Sequence, residues 1–503
     1  MPFQEIIDDL TGAWTRVTYG MRREDMNLGE GAREFRLDKI EVKLVNGKKY
    51  DIRDLVIDFG YHESIESSFL RCEINIFDTV DFNKSLYGGE QISMKMITST
   101  ADGEHPLETT VSVYKIGSIS KSERGQLYTL HCVSPEMFHD EGNKIFKAFG
   151  PGDGATDDDC IPKMICEKYL KVKGNGSKIQ TNNFENHSKY TFIACSWKPT
   201  DAINFISDKV TRLTESKGKN KQGGFLFWEN RNGFNFRSLD SIAAGGATQN
   251  GMYTYYYTQK ALEGVDPRYT IETITYPDKA NHLTNMRMGT YKTAAIGISM
   301  HASAQSYAPD SGEANDVQED EGATSTVDTV TASGGTGISS VPGGTISPPR
   351  ILKFGEIFAK ADTVHDQPSI RIPDWFDIEK AQPTRMKIRA LPGMKNQTST
   401  ANVNNGTNPD IDTMAVAQYA SARYNLFKSV KLDVTVPGNT ALTAGDLIVI
   451  RIPAAKNEGE TVKTDYRFSG RYIIAGLTHV YKRAGMTTKL YLVRDSQPKD
   501  VDK

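Results

Sequence analysis

Leu442-Thr-Ala-Gly445-Asp446-Leu-Ile448-Val-Ile450-Arg451-Ile452 stands near the C-terminus, and Leu86-Tyr-Gly-Gly89-Glu90-Gln-Ile92-Ser-Met94-Lys95-Met96 stands near the N-terminus. Both read leucine, two residues, glycine, acid, a variable residue and isoleucine. Both then run through another variable residue to an apolar–basic–apolar triplet. Side chains alternate faces along a strand. Ile92, Met94 and Met96 therefore share one face, and Ile448, Ile450 and Ile452 share its counterpart. Lys95 and Arg451 point the other way. Gly89 and Gly445 are expected at turns that need backbone freedom.

A second pair of strand-like segments follows each copy. The first pair is Tyr114-Lys-Ile-Gly-Ser-Ile119-Ser120 and Leu127-Tyr-Thr-Leu-His-Cys-Val133, with a glycine turn at Gly125. The second is Tyr472-Ile-Ile-Ala-Gly-Leu477-Thr478 and Thr487-Thr-Lys-Leu-Tyr-Leu-Val493, with a turn at Gly485. This alignment sets Tyr114 against Tyr472. Gly125 and Gly485 stand equally far before Val133 and Val493. The reading is one antiparallel β module used twice, at opposite ends of the chain.

The chain of 503 residues is too long for one core. Residues 1–38 are polar and aperiodic and read as an N-terminal arm. Residues 39–136 alternate with period two, through Ile40, Val42 and Leu44, then Leu55, Ile57 and Phe59, then Leu70, Cys72, Ile74 and Ile76. They form the first β module, a small barrel or sandwich. Residues 137–244 are a mixed α/β segment. Asp157-Asp-Asp heads a helix from Cys160 to Leu170, and Thr200 is the expected N-cap of a helix carrying Ile203, Ile206, Val210 and Leu213. Phe225-Leu-Phe-Trp-Glu and Phe234-Asn-Phe-Arg-Ser-Leu239 form a hairpin about Asn230-Arg-Asn-Gly233. Residues 245–410 read as an insertion domain, with an exposed acidic loop at 302–349 that has scarcely any large apolar residue. Residues 411–503 are a helix and the second β module. The fold class is α+β, mainly antiparallel β.

Catalytic signatures are missing. The sequence has no G-x-S-x-G, no H-E-x-x-H, no Walker A loop and no CxxC. No catalytic, cofactor-binding or metal-binding residue is assigned, and no cofactor or enzymatic activity is expected. His131 and His479 read as strand residues. Asp157-Asp158-Asp159 suits a helix N-terminus, with a cation as the alternative. The basic run Lys217 to Lys221 reads as a solvated loop tip, the alternative being a contact to nucleic acid or an acidic partner. Tyr253, Tyr255, Tyr256 and Tyr257 read as a packed strand, with a base-stacking platform as the alternative. A net charge of -3 argues against extensive phosphate neutralisation. The five cysteines, odd in number, read as reduced. No apolar run is long enough for a membrane helix, so no membrane insertion is expected, and no secretory signal is expected at the N-terminus.

The order of parts resembles the baseplate central hub protein of contractile-tailed bacteriophages. The segments that carry the resemblance are Ser196-Trp197-Lys-Pro-Thr200-Asp-Ala-Ile-Asn-Phe-Ile-Ser, Phe225-Leu-Phe-Trp228-Glu-Asn, and Leu442 to Asp446 through Val493-Arg494-Asp495. The resemblance implies two β modules of the tail-tube type and a homotrimer presenting a pseudo-hexameric ring. It further implies partners: a trimeric tail spike, tail tube or tube-initiator proteins, other baseplate proteins and a tape measure protein. DNA would pass through the central channel of a virion baseplate assembled in the host bacterial cytoplasm. The hub half of a contractile injection or secretion spike is the alternative, followed by a tail-associated peptidoglycan hydrolase and a nucleic-acid-binding β protein.

Overall fold

The computed structural model describes residues 33–122, 125–150, 160–172, 178–188, 190–212, 222–248, 252–257, 265–277, 281–299, 339–341, 344–346, 350–370, 372, 375, 385–391, 413–454, 464–482 and 485–499. Most of the N-terminal arm, Asp157 to Asp159, Leu213, the Lys217–Lys221 run and most of 302–349 lie outside them.

The chain begins with β1 (Phe35–Lys43), β2 (Lys49–Asp51), β3 (Val56–Ser64), β4 (Arg71–Asp78), β5 (Gln91–Thr100), β6 (Gly103–Ser122) and β7 (Gly125–Val133). The middle holds α1 (Pro135–Gly142), β8 (Ile145–Phe149), α2 (Ile161–Lys168), β9 (Phe192–Trp197), α3 (Pro199–Ser207), β10 (Phe225–Asn230), β11 (Gly233–Ser238) and α4 (Leu239–Ala243). Then come β12 (Thr254–Tyr256), β13 (Thr273–Thr275), α5 (His282–Met288), β14 (Lys292–Ser299), β15 (Ser339–Val341), β16 (Gly344–Ile346), β17 (Arg350–Lys353), α6 (Phe354–Lys360), β18 (Gln367–Pro368) and β19 (Arg385–Leu391). The chain closes with α7 (Thr413–Phe427), β20 (Val430–Pro437), β21 (Leu447–Arg451), β22 (Gly470–Lys482), β23 (Gly485–Arg494) and β24 (Ser496–Gln497). The fold is α+β and mainly antiparallel β.

One 13-stranded sheet runs through both ends of the chain, in the order β13-β20-β23-β22-β3-β4-β7-β6-β5-β1-β2, with β21 on β22 and β12 on β21. Two separate apolar clusters back it. One holds Ile92, Met94 and Met96 with Val111, Leu130, Cys132, Cys72, Ile74 and Phe59. The other holds Ile448, Ile450 and Ile452 with Tyr472, Leu490, Leu492, Leu432, Val434 and Tyr255. Burying each large aliphatic side chain contributes roughly 1.5–3 kcal/mol.

The ladders match position by position. Cys72 faces Cys132 and Ile74 faces Leu130 across β4 and β7. Leu432 faces Leu492 and Val434 faces Leu490 across β20 and β23. Ile92 faces Val111, and Ile448 faces Tyr472. A bulge interrupts β6 between Val113 and Lys115, and another interrupts β22 between Ile474 and Gly476. Tyr114 thus occupies the place of Ala475, and Tyr472 that of Val111. The sequence alignment of Tyr114 with Tyr472 is corrected accordingly. A second irregularity in β6, between Gly117 and Ser120, absorbs the difference before the Gly125 turn.

Three other expectations change. Lys198, not Thr200, is the N-cap of α3. Asp140 on α1 receives the Thr200 N–H at 2.8 Å and its hydroxyl at 2.8 Å, so a neighbouring helix supplies the cap. β12 and β13, from the segment read as an insertion, pair with β21 and β20. β15 and β16 fall within the stretch read as an exposed loop, because β16 pairs with β14. The two halves also differ on one flank, where β12 runs parallel to β21 whereas β1 runs antiparallel to β5.

Candidate assembly site

The two turns quoted at the outset share their wiring. Gly89 has φ 91° and Gly445 has φ 100°. The Gly89 N–H donates to the Val113 carbonyl at 2.7 Å, and the Val113 N–H returns to the Glu90 carbonyl at 2.9 Å. The Gly445 N–H donates to the Ile474 carbonyl at 2.9 Å, and the Ile474 N–H returns to the Asp446 carbonyl at 2.9 Å. The acid that follows each glycine closes its own turn. Glu90 accepts the Tyr87 N–H at 2.7 Å, and Asp446 accepts the Thr443 N–H at 3.0 Å. Both carboxylates are buried. An acid suits this place because it takes up turn N–H groups that have no strand partner.

Their surroundings differ. The second turn is clamped from three sides. Glu63, at the end of β3, accepts the Ala444 N–H at 2.9 Å. The Trp228 indole N–H donates to the Ala444 carbonyl at 3.1 Å. Arg231, in the β10–β11 turn, donates to the Thr440 carbonyl. Thr98 on β5 accepts the Thr440 N–H at 2.8 Å. A Cβ on Gly445 would lie 2.9 Å from the Trp228 ring. Among the described residues the first turn has no counterpart of these contacts, and Tyr87 is 84% exposed.

Glu63 also accepts the Tyr61 hydroxyl at 2.8 Å and the Arg231 N–H at 2.7 Å. Burial pushes its carboxyl up to about 7, against the pull of these donors. Beside it the junction between the two halves is made by strand pairing. β22 lies on β3 from Gly476↔Ser64 to Lys482↔Asp58. Tyr481 stacks on Phe59 at 4.8 Å and His479 on Tyr61 at 5.9 Å. Burial holds His479 down to about 3, so it stays neutral.

A second buried centre ties α7 to both α4 and the residue that follows β23. Arg423 donates to Asp495 at 2.7 Å and to Asp240 at 3.2 Å. Tyr419 adds a hydrogen bond to Asp240 at 3.0 Å.

Of the family-like residues, Trp228 reaches the repeated turn. Trp197 is half-buried, stacking on Phe192 at 6.0 Å against the core of the middle segment, and Thr200 stays on α3 against Asp140. The sequence reading missed Glu63 and Arg423. Glu63 continues the inward face of Phe59 and Tyr61 and breaks its apolar character, which is a readable signal. Arg423 interrupts the apolar stripe of α7 in the same way.

The opposite face of the sheet carries a groove of about 660 Å³ lined by Asp58, His62, Glu73, Thr478, Lys482 and Lys489 among others, with both signs of charge. Among the described residues, no three or more His, Cys, Asp or Glu gather where a metal ion could be held. None of the described helices is long and apolar enough to cross a membrane.

No protein-family profile matches the chain, and no curated protein matches it. Solved structures similar to this chain include tail proteins, one of them from a prophage, and a component of the type VI secretion system. A tail protein from Neisseria meningitidis is similar over 91% of this chain and 96% of its own, at 11% identity and TM-score 0.47. The 43 kDa tail protein of prophage MuSo2 from Shewanella oneidensis is similar over 91% of this chain and 98% of its own, at 12% identity and TM-score 0.45. An Escherichia coli component of the type VI secretion system is similar over 87% of this chain and 73% of its own, at 10% identity and TM-score 0.32.

Proposed function

We propose that this chain is a non-enzymatic structural protein of a phage tail baseplate, a homotrimeric hub in which each subunit supplies two equivalent β modules to a ring. The observation that carries this reading is the repeated ladder. The bulges at Tyr114 and Ala475, the turns at Gly89 and Gly445 and the paired cores recur in one sheet. Two similar modules joined edge to edge within one chain form a unit that can repeat by rotation, and such heterologous contacts close into a ring when the rotation between copies is right. Three copies then offer a near-sixfold face to a tail tube or its initiator proteins. The other face is threefold and takes a trimeric spike. The ring surrounds a channel for DNA, engages other baseplate and tape measure proteins, and resides in the virion tail. The sheet face opposite the two cores, with its mixed charge, lines that channel. The buried Glu63 ties β3 of the first module to the Ala444 turn of the second, and the buried Arg423 ties the second module to α4 of the middle segment.

Particle reconstruction and sedimentation of the purified full-length chain test this. A threefold ring with a central channel is the expected result. A stable monomer at high concentration, unchanged on adding a spike or tube protein, overturns it.

A further inference from the structure

The long strands β6 and β22 are each built to serve two neighbours. The start of β22 pairs with β21, and beyond the Ala475 bulge its outer edge pairs with β3. The start of β6 pairs with β5 as far as Ser112, and beyond the Tyr114 bulge its outer edge has no backbone partner among the described residues. Exposure follows the same division. Ala475 is 7% exposed and Thr443 0%, whereas their counterparts Tyr114 and Tyr87 are 55% and 84% exposed. Ile119, on the open stretch, is 51% exposed, while Gly476 to His479 are buried. At the far end of the sheet β13 uses one edge on β20, and its other edge has no partner among the described residues. Tyr276, just beyond it, is 40% exposed.

We propose that the open edge of β6 pairs with β13 of a second copy of this chain, repeating between subunits the β22–β3 junction found within one. The pairing rests on the ring reading above and gives it a register. Thr273, Ile274 and Thr275 face Thr435, Val434 and Asp433 on β20. Asp58, Phe59 and Gly60 face Asn75, Ile74 and Glu73 on β4. Since β20 corresponds to β4 through their partners β23 and β7, Thr273 to Thr275 take the places of Asp58 to Gly60. Ser120 and Lys121 face Leu127 and Gln126, as Val480 and Tyr481 face Thr487 and Met486. Within the chain Val480 faces Gly60 and Tyr481 faces Phe59. Between copies Ser120 therefore faces Thr275, and Lys121 faces Ile274, in antiparallel register. The bonding groups are the unpaired backbone N–H and C=O of two strand edges, which pair readily with another chain. The side chains covered include Tyr114, Ile119 and Tyr276. Within one subunit the two edges stand at opposite ends of the path β13-β20-β23-β22-β3-β4-β7-β6, roughly 34 Å along the sheet at about 4.8 Å per strand, and do not pair with each other, which leaves both open to a second copy.

Disulfide trapping tests the register. Ser120→Cys and Thr275→Cys are combined in the full chain, with the exposed Cys195 replaced by Ser. Directly opposed strand residues lie within disulfide reach. Mild oxidation is expected to give disulfide-linked oligomers from the double variant, and none from either single variant. Ser120→Cys with Thr273→Cys, which is out of register, should link far less. A ring seen by particle reconstruction with no Ser120–Thr275 link overturns the edge pairing and leaves the ring reading standing. A monomer under all conditions overturns both. Hydrogen exchange on the unmodified chain is the second measurement. Amides of β13 and of the open part of β6 should gain protection on going from dilute to concentrated protein, and unchanged exchange in an assembled ring overturns the pairing.

Discussion

Glu63 on β3 and Ala444 in the turn before β21 meet through one hydrogen bond, Ala444 N–H to the Glu63 carboxylate at 2.9 Å, across 381 residues of sequence. The bond joins the first half of the sheet to the turn that opens the repeated strand of the second. Burial has raised the Glu63 carboxyl from 4.5 to about 7, so its ionised form is disfavoured in the folded protein. The unfolded chain releases this proton first. Stability from this group is fully present below its ordinary value and is lost as pH rises through about 7. Glu63→Gln removes that dependence. It also turns an amide donor toward the Ala444 N–H, which costs about 1–3 kcal/mol. Urea midpoints of the two proteins measured across pH 4 to 8 should show the wild-type advantage shrinking as pH rises. A constant difference would count against Glu63 as the titrating group.

Gly89 and Gly445 both have a positive φ, 91° and 100°, and have different neighbours. A Cβ at Gly89 meets nothing within 4 Å, whereas one at Gly445 meets the packed Trp228 ring at 2.9 Å. Gly89→Ala should lose about 1–2 kcal/mol, the cost of a left-handed conformation for an L-residue. Gly445→Ala should lose a further 1–3 kcal/mol or so from overpacking. Chemical denaturation of both variants checks the order, and equal losses would contradict the clamp around Ala444.

Arg423 is buried between two carboxylates. Arg423→Ala leaves Asp240 and Asp495 buried without their cation and should destabilise by about 3–5 kcal/mol. Arg423→Lys should recover little, since one ammonium cannot span Asp240, Asp495 and the Asp362 carbonyl that the guanidinium reaches. Thermal unfolding of the two variants would show this, and full rescue by lysine would refute it.

Asp140 caps α3 from outside the helix. Asp140→Ala frees the Thr200 N–H and its hydroxyl together and should cost about 1–2 kcal/mol. Thr200→Val keeps the N–H bond and should cost less. Denaturant midpoints that rank the two the other way would overturn this account.

The strands and their inward faces were legible because alternation is local. Ile92, Met94 and Met96, like Ile448, Ile450 and Ile452, can be assigned to a face from neighbours two residues away. The hairpin at Asn230 to Gly233 was legible for a similar reason, since a two-residue turn has its own chemistry. The alignment of Tyr114 with Tyr472 went astray because a bulge belongs to the backbone ladder and leaves no mark on side-chain identity. β12 and β13 went unassigned to the second module because three residues are too few to show a period.

The sequence by itself determined that one alternating pattern occurs twice and which side chains it turns inward, since both follow from the two-residue repeat of a strand. Only the tertiary structure decided that the two copies share one sheet, that β22 seats β3, and that Glu63 holds the Ala444 turn while the equivalent turn at Gly89 stays open. Those are pairings between backbone groups hundreds of residues apart. Every strand edge offers the same N–H and C=O, and burial in three dimensions selects which edge meets which.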